Sequence, residues 1–279
     1  MKLTVITINF NNRDGLRKTI ESVKRQTYQD FQYVVIDGGS TDGSKQVIEE
    51  YAEYIDYWVS EPDNGVYNAM NKAIDVAYGE YCNFMNSGDI FYNDSVLEEV
   101  SVKLFDASIL VGDVQLTDGR VFPSPSNISL GYFYCKKDNS TRLNHQASFI
   151  KSKLLKKYYY DECYKIVSDW KFLIQTLIYD NLPYKKLDNI IAVYDLSGIS
   201  TVNYQLDRIE RESVLKNDFP IHVYNYCQEV NSGYENRLYN IIKDSKYHRI
   251  VYSILVLCFK IYAIAKKDSC IRNFPLIIK

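Results

Sequence analysis

The feature that most constrains the fold is an alternation of short apolar runs with amphipathic segments through the first half of the chain. The intervals between the runs carry apolar residues at the spacing of one helix face. Strands that alternate with helices indicate βαβ units and a mostly parallel sheet flanked by helices. The sequence therefore predicts an α/β fold. The runs predicted as strands are 2–10, 31–36, 55–59 and 81–85.

The second half of the chain has a less regular pattern. The sequence predicts a hairpin at 114–121, a helix that begins at Trp170, and a strand at 184–194. From about residue 204 the pattern is helical to the end. We therefore expect one α/β domain over 1–203 and a helical extension over 204–279.

Acidic residues follow two of the predicted strands, Asp37 after the second and Asp89 after the fourth. Ligands of parallel sheets bind at the carboxyl ends of strands, so both side chains can face one cleft. The glycine-rich stretch 37–43 fits neither a dinucleotide fingerprint nor a phosphate-binding P-loop. Alternatively, Asp37 is a turn residue and Asp89 caps the following segment. The residues alone indicate an α/β enzyme that binds a nucleotide or a phosphate.

Composition and charge exclude several other classes. Lys plus Arg total 33 and Asp plus Glu total 35, so the chain lacks the basic excess of a nucleic-acid binder. Apolar residues make up 46% of the chain, which is too many for a disordered protein. The six cysteines form no CxxC pair, so we expect buried reduced thiols and a cytoplasmic protein. No signal peptide is predicted, and no apolar run has the length of a membrane span.

Six segments, taken together in order and spacing, resemble the family 2 glycosyltransferases of the GT-A fold. The resemblance covers roughly residues 1–200 and is closest to the branch that builds bacterial capsule, colanic-acid and O-antigen polysaccharides. It implies a mostly parallel central sheet flanked by helices. The matching segments are 4–12, 35–44, 60–72, 79–89, 145–146 and 168–170.

The resemblance also implies a role for individual residues. Asp169 matches the catalytic base, and Asp89 matches the residue that holds a divalent metal, Mn²⁺ or Mg²⁺, on the donor diphosphate. From the residues alone, Asp169 can instead cap the helix that begins at Trp170. The implied nucleotide-binding residues are Thr7, Asn9, Asp37, Asp63 and Asn71. The implied donor- or acceptor-binding residues are Ser87, Gly88, His145, Gln146 and Trp170.

Two positions depart from the family pattern. Asn86 stands where many relatives carry an acid in the metal motif, and Asn68 stands where this branch often has Asp. The implied reaction is an inverting transfer from a nucleoside-diphosphate sugar, UDP-linked, to a saccharide or lipid-linked oligosaccharide. The alternatives are a sugar nucleotidyltransferase and a GT-A-like binding module that has lost activity.

The segment 250–267 suggests a further partner. Residues 250–264 are apolar apart from Ser253 and Lys260, and basic residues flank them on both sides. Lys260 in the middle argues against a membrane span, so we expect a helix lying on the inner face of the cytoplasmic membrane or mediating self-association. A plain core helix is the other interpretation.

Overall fold

A computed structural model describes residues 2–104, 107–129, 133, 143–195 and 203–218, together with 220–222, 224, 225 and 228. The chain divides into two compact units, Met1–Phe219 and Pro220–Lys279. In the second unit, the amide of Tyr224 donates to the carbonyl oxygen of Pro220 at 3.1 Å. The segment 250–267 lies outside the described residues.

The first half of the chain builds the α/β arrangement that its periodicity predicts. All seven residues of the first strand are buried, including the polar Thr4, Thr7 and Asn9, as is typical of a strand inside a parallel sheet that helices cover. The elements in chain order are β1 (Leu3–Asn9), α1 (Arg13–Lys24), β2 (Phe31–Asp37), α2 (Ser44–Glu50), β3 (Tyr57–Ser60), α3 (Val66–Val76) and β4 (Tyr81–Phe84).

The second half adds strands of mixed direction and further helices. These are β5 (Ile90–Phe91), α4 (Val96–Ser101), β6 (Ile109–Leu116), β7 (Val121–Phe122), β8 (Ser148–Lys151), α5 (Ser152–Tyr158), α6 (Ser168–Ile174), β9 (Tyr184–Tyr194) and α7 (Tyr204–Asp218). The sheet has the order β3-β2-β1-β4-β8-β6-β9-β5, and β7 pairs with β6.

Strands β1 to β4 pair in parallel, whereas β8 joins β4 and β6 in antiparallel fashion. The parallel pairing aligns Asn9 with Asp37, and Asp37 with Ser60, at the carboxyl edge of the sheet. Strand β8 places the residues just before it, including His145 and Gln146, beside the end of β4. Sheet topology thus assembles the region that the sequence predicts as a ligand cleft.

The predicted strand at 184–194 and the predicted hairpin at 114–121 are both confirmed. The helix predicted from Trp170 starts at Ser168, and after Ile174 it continues as a π-helical turn, Gln175–Tyr179. Cys82 is a buried thiol as expected, but Cys163 is exposed because it lies in a surface turn. None of the helices in the described part of the chain is both long enough and apolar enough to cross a membrane.

Gly79, which follows α3, packs directly against the first strand. A Cβ atom at this position would lie 2.5 Å from the carbonyl carbon of Leu3 and 2.6 Å from the amide nitrogen of Thr4. Because both are backbone atoms, we expect Gly79→Ala to lower the free energy of unfolding by about 1–3 kcal/mol. Chemical denaturation checks this. The neighbouring Tyr78 is 59% exposed, so Tyr78→Ala is the control, and equal stability of the two variants would contradict the prediction.

Candidate active site

The carboxyl ends of β1 and β2 carry a buried polar cluster centred on Asp37. Its carboxylate accepts hydrogen bonds from Asn9 Nδ2 at 2.7 Å, Ser60 Oγ at 2.6 Å, and both the amide and the hydroxyl of Ser40 at 3.0 and 2.5 Å. Asp37 and Asn9 are almost completely buried. Asn9 Oδ1 has no hydrogen-bond partner among the described residues, although buried polar atoms are nearly always paired.

Thr7 and Asp63 are two further residues implied to bind the nucleotide. The Thr7 hydroxyl donates to the carbonyl oxygen of Met85 at 2.9 Å and meets the Tyr33 hydroxyl at 3.0 Å, so it ties β1 to the end of β4. The Asp63 carboxylate accepts from the amide of Gly65 at 2.8 Å. A Cβ atom on Gly38 would lie 2.6 Å from Asp63 Oδ2, which places Asp63 beside the loop that follows Asp37.

Asn71 makes a different set of contacts. Its amide nitrogen donates to the carbonyl oxygen of Tyr160 at 2.9 Å and to Glu162 Oε1 at 2.8 Å. Its oxygen accepts from the amide of Tyr160 at 2.9 Å. Asn71 therefore joins α3 to the segment 160–162. These contacts do not include the Asp37 cluster.

Asp89 lies in the loop after β4 and is 5% exposed. Gln146 Nε2 donates to its Oδ2 at 2.8 Å, and the amide of Asp195 donates to its Oδ1 at 2.9 Å. Burial raises the pKa of Asp89 to about 6, although both hydrogen bonds and the nearby His145 act to lower it. The Asp195 carboxylate adds to the rise, so a cation at this point would find two acidic side chains close together.

The loop that carries Asp89 is fixed through its backbone. Ser87 donates from its amide to the carbonyl oxygen of Ile8 at 3.0 Å, and its own carbonyl oxygen accepts from Asn12 Nδ2 at 3.1 Å. Gly88 has a φ of +104°, which a residue with a side chain rarely adopts. A Cβ atom there would also lie 2.9 Å from Asp195 Oδ2.

The residues around Asp89 fit a hard divalent cation. Each oxygen of Asp89 accepts one hydrogen bond and keeps a lone pair, and carboxylate oxygens are the ligands that Mg²⁺ and Mn²⁺ prefer. Within the described ranges, no group of three or more His, Cys, Asp and Glu side chains could hold a metal ion. Protein sites for Mg²⁺ often supply one or two carboxylates and leave the other positions to substrate phosphates and water.

Asp169 lies in the first turn of α6, and its side chain is 22% exposed. Its Oδ1 accepts from the Tyr67 hydroxyl at 3.0 Å and from the amide of Trp170 at 2.8 Å. Its Oδ2 faces His145 Nδ1 at 3.1 Å. Burial alone would raise the pKa of Asp169, but these hydrogen bonds and the electrostatic interaction with His145 together outweigh it and hold the pKa below its usual value. Asp169 is thus a reachable carboxylate that stays ionised.

His145 lies between Asp169 and Asn86. Asn86 Nδ2 is 3.1 Å from His145 Nε2. Since an amide nitrogen can only donate, Nε2 accepts, and the proton of the neutral ring is on Nδ1. In this tautomer Nδ1 donates to Asp169 Oδ2, so Asn86 and Asp169 contact the two ring nitrogens of His145.

The adjacent residues His145 and Gln146 connect the two acidic side chains, His145 to Asp169 and Gln146 to Asp89. Both lie in a single 3₁₀ turn, His145–Ala147. Asn83 of β4 holds this turn, because its amide donates to the carbonyl oxygens of Gln146 and Ser148 at 2.9 and 3.1 Å. One short turn therefore brings together side chains that are 80 positions apart in the sequence (89 and 169).

Trp170 is 7% exposed, and the Arg211 guanidinium lies 4.6 Å from the centre of its ring. Sequence reasoning did not identify Tyr67 or Asp195 as site residues. Tyr67 falls on the buried face of α3 and has the pattern of a core residue, while Asp195 follows a strand far from any matching segment. Burial and the Asp169 charge raise the pKa of Tyr67 well above its usual value, so its hydroxyl remains a donor.

Two known proteins are similar in sequence to most of this chain. An uncharacterized glycosyltransferase of Mycobacterium tuberculosis is 33% identical over 189 residues, which cover 63% of this chain and 69% of the relative. A PGL/p-HBAD biosynthesis glycosyltransferase of Mycobacterium bovis is 26% identical over 216 residues, covering 75% of this chain and 82% of the relative.

Solved structures share the fold. Staphylococcus aureus TarS 1–349 in complex with UDP-GlcNAc has a TM-score of 0.61 at 19% identity, covering 86% of this chain and 73% of that one. This chain spans 47% of a longer TarS structure. A mannosyltransferase of Pyrobaculum calidifontis, in complex with GDP-Man and Mn²⁺, has a TM-score of 0.60 at 15% identity, covering 94% of this chain and 80% of that one.

The family model for glycosyl transferase family 2 matches residues 4–163, which include β1 to β4, Asp37, Asp89 and the turn at His145. This match covers more than half of the chain. Together with the curated relatives and the shared α/β architecture, it assigns the GT-A fold. The chain belongs to glycosyl transferase family 2.

Proposed function

We propose that this protein transfers a sugar, with inversion, from a UDP-linked donor to a saccharide acceptor in bacterial surface polysaccharide assembly. The observation that carries the proposal is the connection of Asp89 and Asp169 through Gln146 and His145. Membership of a glycosyltransferase family supports the reaction class. The UDP-GlcNAc complex of TarS and the glycan-related names of two relatives, for PGL and for teichuronic acid, support the donor and the pathway class.

The nucleotide binds at the carboxyl ends of β1 and β2, where ligands of open α/β sheets are found. Asp37 orients Asn9, Ser40 and Ser60 through its hydrogen bonds. A hydrogen-bond donor on the nucleobase pairs with Asn9 Oδ1, which has no partner among the described residues. Asp63 borders the same cleft, while Asn71 supports it from the segment at 160–162.

In the transfer step, the acceptor hydroxyl oxygen forms a bond to the anomeric carbon of the donor sugar. The bond from that carbon to the diphosphate oxygen breaks, and its electron pair leaves with the nucleoside diphosphate. The hydroxyl proton moves to Asp169 as general base. Three hydrogen bonds occupy three of the four lone-pair positions of this carboxylate, and the remaining one, on Oδ2, receives the proton.

Asp89 is the residue that would hold the divalent cation, Mn²⁺ or Mg²⁺, with Asp195 as a second acidic group nearby. When bound, such a cation neutralises the charge that develops on the leaving diphosphate. Gln146 and the amide of Asp195 fix the orientation of the Asp89 carboxylate. Ser87 and Gly88 let the donor diphosphate approach the backbone of the loop.

The acceptor in this proposal is a lipid-linked oligosaccharide at the inner face of the cytoplasmic membrane. It rests on the basic and apolar segment 250–267 and on the names of the relatives. Flotation of the full-length protein with anionic liposomes, compared with a chain shortened before Ile250, separates membrane contact from self-association.

Calorimetric titration of the full-length protein with UDP, GDP and dTDP, each with Mn²⁺ or with chelator, tests the donor assignment. We expect UDP to bind most tightly and its affinity to fall in chelator. Failure of all three nucleotides to bind would favour the alternative of a GT-A-like scaffold without activity. Tighter binding of GDP or dTDP would contradict the assignment of a UDP-linked donor.

A further inference from the structure

A carboxylate from the last described helix of the first unit binds the backbone just before α6. Glu210 of α7 is 8% exposed, and its oxygens accept from the amides of Lys165 at 2.8 Å, Ile166 at 2.9 Å and Val167 at 3.3 Å. These three residues lead directly into the helix whose first turn carries Asp169. Glu210 therefore holds the backbone segment that determines the position of Asp169.

The amides that Glu210 binds need an acceptor from elsewhere in the chain. Backbone N–H groups at and before the first turn of a helix have no partner within that helix. Ile166 and Val167 are buried, so water is a poor substitute. A carboxylate makes stronger bonds to backbone N–H groups than a neutral acceptor does, and its charge suits the start of a helix.

Two further contacts join α7 to α6. The Arg211 guanidinium lies over the ring of Trp170, and Asp218 Oδ2 lies 2.8 Å from Lys171 Nζ. The contacts of α7 thus fall on the residues immediately before and after Asp169. On the other side, the Tyr67 hydroxyl lies 2.6 Å from the carbonyl oxygen of Ile166 and shares its single proton between that oxygen and Asp169 Oδ1, so the same segment is held from α3 as well.

We propose that Glu210 is a positioning residue for Asp169 and that α7 is part of the catalytic unit. Helix α7 lies beyond residues 4–163, which the family model matches. The domain boundary expected from the sequence, at residue 204, would assign this helix to a separate extension. The proposal rests on the proposed function, in which Asp169 is the general base. A displacement of a catalytic group by 1 Å can cost about 100-fold in rate, and Asp169 meets both His145 and Tyr67 at hydrogen-bond distance.

The test uses the full-length protein with Glu210→Ala, the isosteric Glu210→Gln, and Glu210→Asp. Glu212→Ala is the matched control, because Glu212 is exposed on the same helix and accepts none of these three amides. Release of UDP, with Mn²⁺, from the UDP-linked sugar that the wild type turns over fastest gives kcat and KM. We expect Glu210→Ala to lower kcat about 10- to 100-fold, to change KM less than about 3-fold, and Glu210→Asp to recover most of the loss.

Amide hydrogen exchange gives a measurement that does not depend on turnover. We expect residues 165–171 to exchange at least about 10-fold faster in Glu210→Ala and in Glu210→Gln than in Glu212→Ala, with UDP affinity unchanged. Wild-type kcat together with wild-type amide hydrogen exchange, in both Glu210→Ala and Glu210→Gln, would overturn the proposal. So would a loss of kcat that is accompanied by loss of UDP binding, because that result indicates a general effect on the fold.

Failure of the positioning role is distinguishable from failure of the proposed function. If Asp169→Asn keeps wild-type turnover, the general-base assignment is wrong whatever Glu210 does. If Asp169→Asn is inactive and the Glu210 variants remain fully active, only the positioning role is wrong.

Discussion

Replacement of Asp169 by asparagine is expected to lower turnover by about 10²- to 10⁴-fold, the usual contribution of a general base. Asparagine has the same shape, and its oxygen can still accept from Tyr67 and from the amide of Trp170. Its amide nitrogen, however, cannot take a proton from the acceptor, and it faces the donor Nδ1 of His145. Binding of the nucleotide should stay within about 3-fold, because only the proton acceptor is lost.

The pH dependence of the wild type provides a second check on Asp169. Its lowered pKa keeps the base ionised through the neutral range, so protonation of Asp169 itself should lower turnover only below the ordinary carboxyl range, whereas a fall near pH 6 is expected from protonation of Asp89. Asp14, whose side chain is 77% exposed, gives the control Asp14→Asn, which should turn over within two-fold of the wild type. Turnover by Asp169→Asn within a few-fold of the wild type would contradict the assignment.

Replacement of Asp89 by asparagine is expected to lower turnover about 10²- to 10³-fold, the range seen when one group that stabilises transition-state charge is removed. Asparagine has one acceptor oxygen, so it can satisfy Gln146 or the amide of Asp195 but not both. The variant also loses the charge that attracts a cation. A buried donor left unpaired costs about 1–3 kcal/mol, so a lower melting temperature should accompany the loss of activity.

The measurement that isolates this effect is UDP affinity with Mn²⁺ and with chelator. The wild type should bind UDP more tightly with Mn²⁺, and Asp89→Asn should show little difference between the two conditions. Asp195→Asn is the variant to compare with Asp89→Asn. It removes the Asp195 carboxylate but keeps the backbone amide that donates to Asp89. An undiminished response to Mn²⁺ in Asp89→Asn would show that the cation site lies elsewhere.

The parallel half of the fold could be predicted because its signals are local. Each of β1, β2 and β4 is a short, largely apolar run; Asp37 is the last residue of β2, and Asp89 lies a few residues after β4. Strand β8 was not predicted, since four residues of ordinary composition become a strand only by pairing with β4 and β6. Long-range pairing of this kind leaves no periodic pattern in the sequence.

The contacts that organise the candidate site were beyond sequence reasoning for the same reason. His145 meets Asn86 and Asp169 across 59 and 24 positions, and Glu210 binds amides 43 to 45 positions earlier. Tyr67 has the spacing of a core residue, so only its hydroxyl contact with Asp169 reveals its place in the site. Resemblance to a family identified His145 and Asp169, whereas their hydrogen-bond partners required coordinates.

The two departures from the family pattern have structural partners. Asn86 donates to His145 Nε2, a bond that an ionised acid at this position could not donate. Asn68 donates to Glu162 Oε2 at 2.9 Å, where an aspartate would instead face a second carboxylate. Both asparagines therefore suit the hydrogen bonds that this chain makes at these positions.

Release of nucleoside diphosphate from UDP-, GDP- and dTDP-linked sugars, by the wild type and by Asp169→Asn, is the most direct test of a base-assisted sugar transferase. With Mn²⁺, we expect the wild type to release UDP, chelator to suppress the release, and Asp169→Asn to be at least about 100-fold slower while still binding UDP. Equal rates of release by the wild type and by Asp169→Asn would contradict the assignment of Asp169 as the general base of sugar transfer.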